Sequence, residues 1–206
     1  MVMTANDEIE TGADSVAAAG VQEQVAPGRL ELVRRFVNTR DVEDGIEQLG
    51  SPGAVRDWLR EHGLPDVPRP GPRGVERLTG LREALRKLLL ANNGEPPDEH
   101  ALERLRGEAA RVPLQVRFGD RGESALAPGG AGMDAVVGEL IGIVHEAIAD
   151  GTWQRLKACR SDTCEWAFYD RSRNRSGTWC SMAVCGNRAK ARSYRDRHGA
   201  PKGAAS

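Results

Sequence analysis

KACRSDTCEWAFYDRSRNRSGTWCSMAVCGNRAKARSYRDR, residues 157–197, holds all 4 cysteines of the chain. They are Cys159, Cys164, Cys180 and Cys185, two C-x4-C pairs with 15 residues between the pairs. Four thiolates close a tetrahedral zinc shell with no open position, as structural zinc sites require, and the spacing suits such a site. The first Lys or Arg is Arg29, whereas a secretory leader carries positive charge ahead of an apolar run. A disulfide framework is therefore the weaker reading. Two disulfides, an iron–sulfur cluster and free thiols stay open as alternatives, the cluster disfavoured by the absence of C-x2-C spacing. The expected cofactor is Zn2+, held by Cys159, Cys164, Cys180 and Cys185.

Around the cysteines the residues predict a small finger. Trp153 to Ala158 alternates like a strand, and Trp166, Phe168 and Tyr169 predict a second, giving a β-ribbon whose aromatic residues pack near the metal. A helix is expected from about Gly186 to Arg197, carrying Arg188, Lys190, Arg192, Arg195 and Arg197 against the single acid Asp196. At about 100° per residue Arg188, Arg192 and Arg195 share one side, and Lys190 and Arg197 another. Arg171, Arg173 and Arg175 lie in the loop between the cysteine pairs, where guanidinium forks suit phosphate. These eight residues are the candidate nucleic-acid contacts; a solvated helix face is the plainer alternative. A module of this size with few large apolar groups draws much of its folding energy from the metal. Loss of one ligand is thus expected to unfold the finger locally while the rest of the chain persists.

Several motifs here carry a family resemblance: Phe168-Tyr169-Asp170-Arg171-Ser172, Trp179-Cys180-Ser181-Met182, and Cys185-Gly186-Asn187-Arg188 followed by Lys190. The stretch resembles the CGNR zinc finger family. The resemblance implies DNA binding and an N-terminal ABATE domain, a stress-responsive regulatory module, and it is taken to extend over residues 29–198.

Charge is divided unevenly along the chain. From Thr152 onward there are 12 Lys and Arg against 4 Asp and Glu, while the first 151 residues hold 17 against 26. A basic part joined to an acidic one is the pattern of a polyanion binder attached to something else. No run of 18 apolar residues exists, so no membrane span is expected, and the cytoplasm is the expected location.

The fold class expected is mainly α with small β elements: a helical N-terminal domain with a β-hairpin, followed by a small four-cysteine zinc finger made of a β-ribbon and a basic helix. Residues 1–27 and 199–206 are expected to be disordered tails, 28–151 the regulatory domain and 152–198 the finger. Helices are predicted over about 29–38, from Ser51-Pro52 to Gly63, 74–92, and from Pro96-Pro97-Asp98 to Arg111, where Leu102 and Leu105 face the core. Leu114, Val116 and Phe118 alternate before the turn at Gly119 to Gly122, which predicts a hairpin. Asp134 is expected to cap a strongly apolar helix, central to the domain and ending at Asp150-Gly151.

Asn38, Thr39 and Arg40 bring an amide, a hydroxyl and a fork donor together at a helix end, and with Trp58 they are the candidate contacts for a small-molecule ligand. A plain helix cap explains Asn38 equally well. No Gly-x-Ser-x-Gly elbow or phosphate-cradling glycine loop is present, and His145 reads as a satisfied, partly buried helix histidine, so no enzyme is expected. The leading expectation is a zinc-containing DNA-binding transcriptional regulator whose N-terminal domain senses or assembles, with a homodimer allowed. The alternatives are a zinc-stabilised protein-interaction module, whose basic surface meets an acidic partner or its own N-terminal part, and an RNA-binding finger.

Overall fold

The computed structural model describes residues 25–198. The tails expected at 1–27 and 199–206 fall outside these residues, except for the last three of the first. Within those three Ala26 is buried in the core, and its N–H donates to Glu31 Oε2 at 2.9 Å.

The architecture is mainly α with three separate antiparallel strand pairs. Helix α1 (Leu30–Val37) buries Leu30, Val33, Phe36 and Val37, as their spacing predicts. A short pair β1 (Arg40–Asp41) and β2 (Ile46–Glu47) follows, too brief to show as a pattern. Helix α2 (Pro52–Glu61) opens with the Ser51 hydroxyl accepting from the Ala54 N–H at 3.2 Å and proline in the first turn.

Helix α3 (Gly71–Asn92) starts three residues before its expected position. Pro72 sits in the first turn, where a missing N–H has no intrahelical partner to lose. Helix α4 (Glu99–Arg111) is capped by Asp98, but Leu102 and Leu105 are only half-buried. The residues it buries are Ala101 and Glu108, the latter bonded to Arg77. The hairpin β3 (Leu114–Phe118) and β4 (Ser124–Pro128) forms in the register Val116 opposite Leu126, yet Val116 and Phe118 are exposed.

Helix α5 (Gly132–Ala149) begins before Asp134, so Ala131 stands at the cap and the Asp134 carboxylate accepts from Arg77 Nη1 at 2.5 Å. His145, expected to be partly buried, is exposed. No described helix is long and apolar enough to cross a membrane. A 3-10 turn (Trp153–Arg155) leads into β5 (Leu156–Ala158), which pairs with β6 (Ala167–Tyr169). The strand is thus shorter than expected. A π turn (Met182–Gly186) then opens α6 (Asn187–His198).

The ribbon β5–β6 does not stand apart. Leu156 pairs with Tyr169 and Ala158 with Ala167, so one face carries all four, and these four join the same buried cluster as Leu78, Leu81, Leu85 and Leu89 of α3. Helix α5 is central, as expected, but α3 is the element against which the ribbon lies.

Polar side chains reinforce that contact. Arg86 is fully buried: Nη1 donates to Glu165 O at 2.8 Å, Nη2 to Val37 O at 2.7 Å and Arg40 O at 3.2 Å, and Nε to Glu83. Asn38 accepts from the Ala167 N–H at 2.7 Å and donates to its carbonyl at 2.9 Å, acting as a further strand partner for β6. At the end of α3 Asn92 donates to Trp153 O and Leu156 O, and Asn93 to Ala158 O and Thr178 O, all within 2.8–2.9 Å. The two asparagines that end α3 therefore also hold the chain that follows α5.

Replacing Arg86 by Met keeps the aliphatic reach but leaves buried carbonyls of Val37 and Glu165 without donors, which costs about 3–5 kcal/mol. Urea unfolding followed by circular dichroism should show that loss. A change below about 1 kcal/mol would mean the guanidinium is dispensable.

Candidate metal centre and nucleic-acid interface

Each cysteine pair is shaped by a local turn. In the first, the N–H groups of Cys164 and Glu165 both donate to Ser161 O, at 2.9 and 3.0 Å, and the Cys159 N–H donates to Trp166 O at 3.0 Å. Closing this turn puts Glu165 in the left-handed region at φ 50°. Such a conformation is costly for a side-chain-bearing residue, and it is held by Arg86 on the Glu165 carbonyl and Lys87 on its carboxylate. In the second, the Ser181 hydroxyl accepts from the Val184 N–H at 3.3 Å, capping the π turn that presents Cys185.

The four ligand sulfurs lie within 4.8 Å of one another, and Cys159, Cys164 and Cys185 are buried. Cys164 and Cys180 Sγ are 3.6 Å apart, and Cys180 and Cys185 Sγ 3.7 Å. A disulfide needs about 2.05 Å, so these are not bonded pairs. A regular tetrahedron with metal–sulfur bonds of about 2.3 Å has edges of about 3.8 Å, which is the separation zinc asks for.

The titration of the four thiols points the same way. Hydrogen bonds from the Cys164 and Cys180 thiols outweigh burial and draw Cys159 down to about 2, while the bond to Cys159 pushes Cys164 up to about 12. Cys180 is raised by Cys159 and Cys164, and Cys185 by burial and the Cys159 charge. One thiolate thus opposes the next, and a divalent cation at the centre removes that opposition. The four cysteines are clustered as a metal site requires.

The residues after Cys185 have separate physical roles. A Cβ at Gly186 would come within 2.7 Å of Met182 Sδ and 3.2 Å of Trp179 Cδ1, so a side chain there requires the exposed Met182 to move aside and Trp179 to give way slightly. Asn187 Nδ2 donates to Ala183 O at 3.0 Å, closing the turn. Arg188 Nη1 pairs with Glu43 at 2.5 Å, reaching from the finger to the β1–β2 loop. Trp166 and Trp179 cover the cysteines, whereas Tyr169 belongs to the larger core, so only part of the expected aromatic shell surrounds the metal site.

A buried Lys157 organises the basic loop, and sequence reasoning missed it. Its ammonium donates to Asp170 Oδ2 at 2.8 Å, Arg175 O at 2.6 Å and Gly177 O at 3.0 Å, filling all three N–H positions. Asp170 also accepts from the Ser172 and Gly177 N–H groups, and a Cβ at Gly177 would meet its carboxylate at 2.8 Å. The only sequence signal was a lysine between two apolar strand residues, Leu156 and Ala158.

The expected nucleic-acid residues fall into two groups. Arg188 and Arg192 are in ion pairs, with Glu43 and with Asp162 at 3.4 Å. Lys190, Arg195 and Arg197 are exposed on α6 and have no carboxylate partner among the described residues, Arg197 donating to Ser193 O. Arg171 lies 5.7 Å over the Tyr169 ring and donates to Val25 O; Arg173 and Arg175 are exposed, with Arg175 at φ 53°.

The expected ligand contacts are engaged with the protein. Asn38 bonds Ala167, the Thr39 hydroxyl donates to Phe36 O and accepts from Arg82, and Arg40 pairs with Glu83 at 3.8 Å. Trp58 packs on Phe36 and stacks on His62. Asn38 and Trp58 border a cleft of about 240 Å3.

With this geometry in hand, two family models match the chain. One, described as "Putative stress-induced transcription regulator" (ABATE), matches residues 30–150, and the other, the CGNR zinc finger, matches residues 155–198. These are regulator and zinc-finger families rather than enzyme classes. No curated protein matches the chain.

Asp170 gives a pH prediction. Burial would raise its carboxyl, but the bonds from Lys157, Ser172 and Gly177 outweigh burial and hold it at about 2, below the ordinary 3.8. A carboxyl depressed by folding adds stability above its unfolded value, and that stability is lost as pH falls through the folded value. Asp170→Asn leaves the Lys157 charge unpaired and should cost about 2–3 kcal/mol at pH 7, at about 1.4 kcal/mol for each pH unit of that depression. The gap between parent and variant should close from about pH 4 down to about pH 2. A gap that persists at the lowest pH in urea titrations would contradict the assignment.

Proposed function

The chain belongs to the ABATE family and carries a CGNR zinc finger, and from that premise we propose that it is a zinc-containing, DNA-binding transcriptional regulator. One Zn2+ is held by Cys159, Cys164, Cys180 and Cys185, all four positions taken by protein, so the ion is structural and carries no substrate. The helical part acts as the sensor or assembly module. Reduced thiolates of this kind suit the cytoplasm.

The observation that carries this reading is α6. None of its residues is buried, and it bears Arg188, Lys190, Arg192, Arg195 and Arg197 against Asp196 alone. Twelve residues without a packed face are marginal as a free helix, and the local charge repels itself. A polyanion relieves both problems, because phosphates neutralise the charges and release counterions. Lys190, Arg195 and Arg197 are the first contacts on α6, while Arg188 and Arg192 exchange their carboxylate partners for phosphate. Arg171, Arg173 and Arg175 add phosphate contacts from a loop already ordered around Lys157.

A specific observation favours the second reading, in which the basic surface serves an acidic protein surface. Arg188 pairs with Glu43 and Arg160 with Glu95, so the finger already meets carboxylates of its own helical part. Duplex DNA competing with single-stranded RNA separates DNA from RNA binding.

The purified protein should contain one zinc per chain, and Cys180→Ser should lose it. Replacing Arg192 and Arg195 together by Ala should leave zinc content and melting unchanged, weaken DNA binding, and reduce the slope of log K against log salt by about 2. A double variant that binds DNA like the parent at every salt concentration would transfer the finger to the interaction-module reading.

A further inference from the structure

The hairpin β3–β4 leaves two large apolar side chains in water, Val116 being 60% exposed and Phe118 76%. Both stand on the face of β3 that meets α5. Leu114 marks that face, because its Cδ2 would stand 3.5 Å from a Cβ at Gly138, and side chains two and four residues further along a strand point the same way. Val116 and Phe118 therefore continue the helix-facing surface where α5 does not cover it.

The same strand presents an unpaired backbone edge. The Gly129 N–H donates to Pro113 O at 2.7 Å and the Gly119 N–H to Glu123 O at 2.8 Å, and hydrogen-bonded positions alternate along an antiparallel pair. Gln115 and Arg117 thus turn their N–H and C=O groups to β4, whereas Leu114, Val116 and Phe118 turn theirs outward, and β3 has no second strand neighbour among the described residues. The outer edge of β4 differs, since one of its outward positions is Pro128, which has no N–H. Proline or lysine ordinarily blunts a free edge, and β3 has neither at 114, 116 or 118.

This edge is complementary to itself. A second copy running antiparallel about a two-fold axis at Val116 sets Val116 opposite the partner's Val116, Leu114 opposite the partner's Phe118 and Gln115 opposite the partner's Arg117. Leu114, Val116 and Phe118 then exchange paired N–H···O bonds with the other copy, and each Phe118 falls beside a leucine that already lies on α5. Charge agrees with this register. Asp120 and Glu123 outnumber Arg121 at the hairpin tip, which comes level with the partner's Arg111, and Arg111 has no carboxylate partner among the described residues.

We propose that the chain forms a homodimer through the outer edge of β3, the two hairpins joining in one four-stranded antiparallel sheet with α5 of each copy on the same face. The interface lies in the helical part and does not rest on what α6 binds.

The test uses the full-length zinc-loaded protein without DNA, sedimented to equilibrium from about 1 μM to about 1 mM. The parent should dimerise with Kd of about 10–100 μM, because a strand edge with one aromatic anchor from each copy is a small interface. Val116→Pro removes a donor that β4 does not use, so the hairpin should stay and the dimer weaken by at least about tenfold. Phe118→Lys alters a side chain already in water, so it should melt with the parent and weaken the dimer by a similar factor, and it decides the matter if Val116→Pro melts lower. Arg117→Ala, on the opposite face, and the Arg192→Ala, Arg195→Ala double variant should dimerise as the parent does. A protein monomeric at about 1 mM, a dimer left intact by either edge variant in its folded state, or one lost with the α6 arginines would overturn the proposal.

Discussion

A fully buried guanidinium is costly to desolvate, and Arg86 is tolerated only because Val37, Arg40, Glu83 and Glu165 each present an acceptor to it. Those acceptors come from α1, β1, α3 itself and the first cysteine turn. The arginine therefore stays satisfied only while the metal-binding turn rests against α3. Asn38, Asn92 and Asn93 extend the same logic, since each fills a backbone position of the ribbon that no neighbouring strand supplies. With Leu156, Ala158, Ala167 and Tyr169 packed in the common core, the strands that precede and follow Cys159 and Cys164 are part of the helical body. The Glu165 carbonyl ties the first cysteine turn to Arg86.

That coupling bears on how a regulator of this construction works. Two cysteine turns meet at the thiol cluster; one is tied to α3 through Glu165, and the other opens α6, from which Arg188 reaches Glu43. Lys157 and Asp170 fix the loop between them. The helical part is thus joined to the arginines of α6 both through the chain and through hydrogen bonds. The arginines divide accordingly, with Arg82 and Arg86 inside, Arg188 and Arg192 paired at the boundary, and Lys190, Arg195 and Arg197 outward.

The cysteine cluster was the most legible feature, because four thiols at fixed spacing admit few chemistries, and α1, α2 and the hairpin follow from apolar periodicity and turn residues. What the sequence hid is polar. At about 100° per residue Arg82 and Arg86 fall about 40° and 80° from Leu78, inside the apolar stripe of α3, and that placement was the available signal. Charge is ordinarily read as a solvated face, so periodicity alone assigns such a stripe to its leucines. Asn38 and Asn92 read as helix ends because a cap uses the same amide. Their partners lie more than 60 residues away in sequence, where no local pattern reaches. For Val116 and Phe118 the alternation predicted the hairpin but not how exposed both side chains are in it.

Native-state hydrogen exchange on the metal-loaded chain tests most directly whether the metal module and the helices form one body. The Ala167 N–H, bonded to Asn38, and the Cys159 N–H, bonded to Trp166 O, should exchange with the same opening free energy as the core amides of α3. Exchange of Ala167 and Cys159 at a far lower opening free energy, with α3 still protected, would show instead that the finger opens alone and that Arg86 and the asparagines do not join it to the helices.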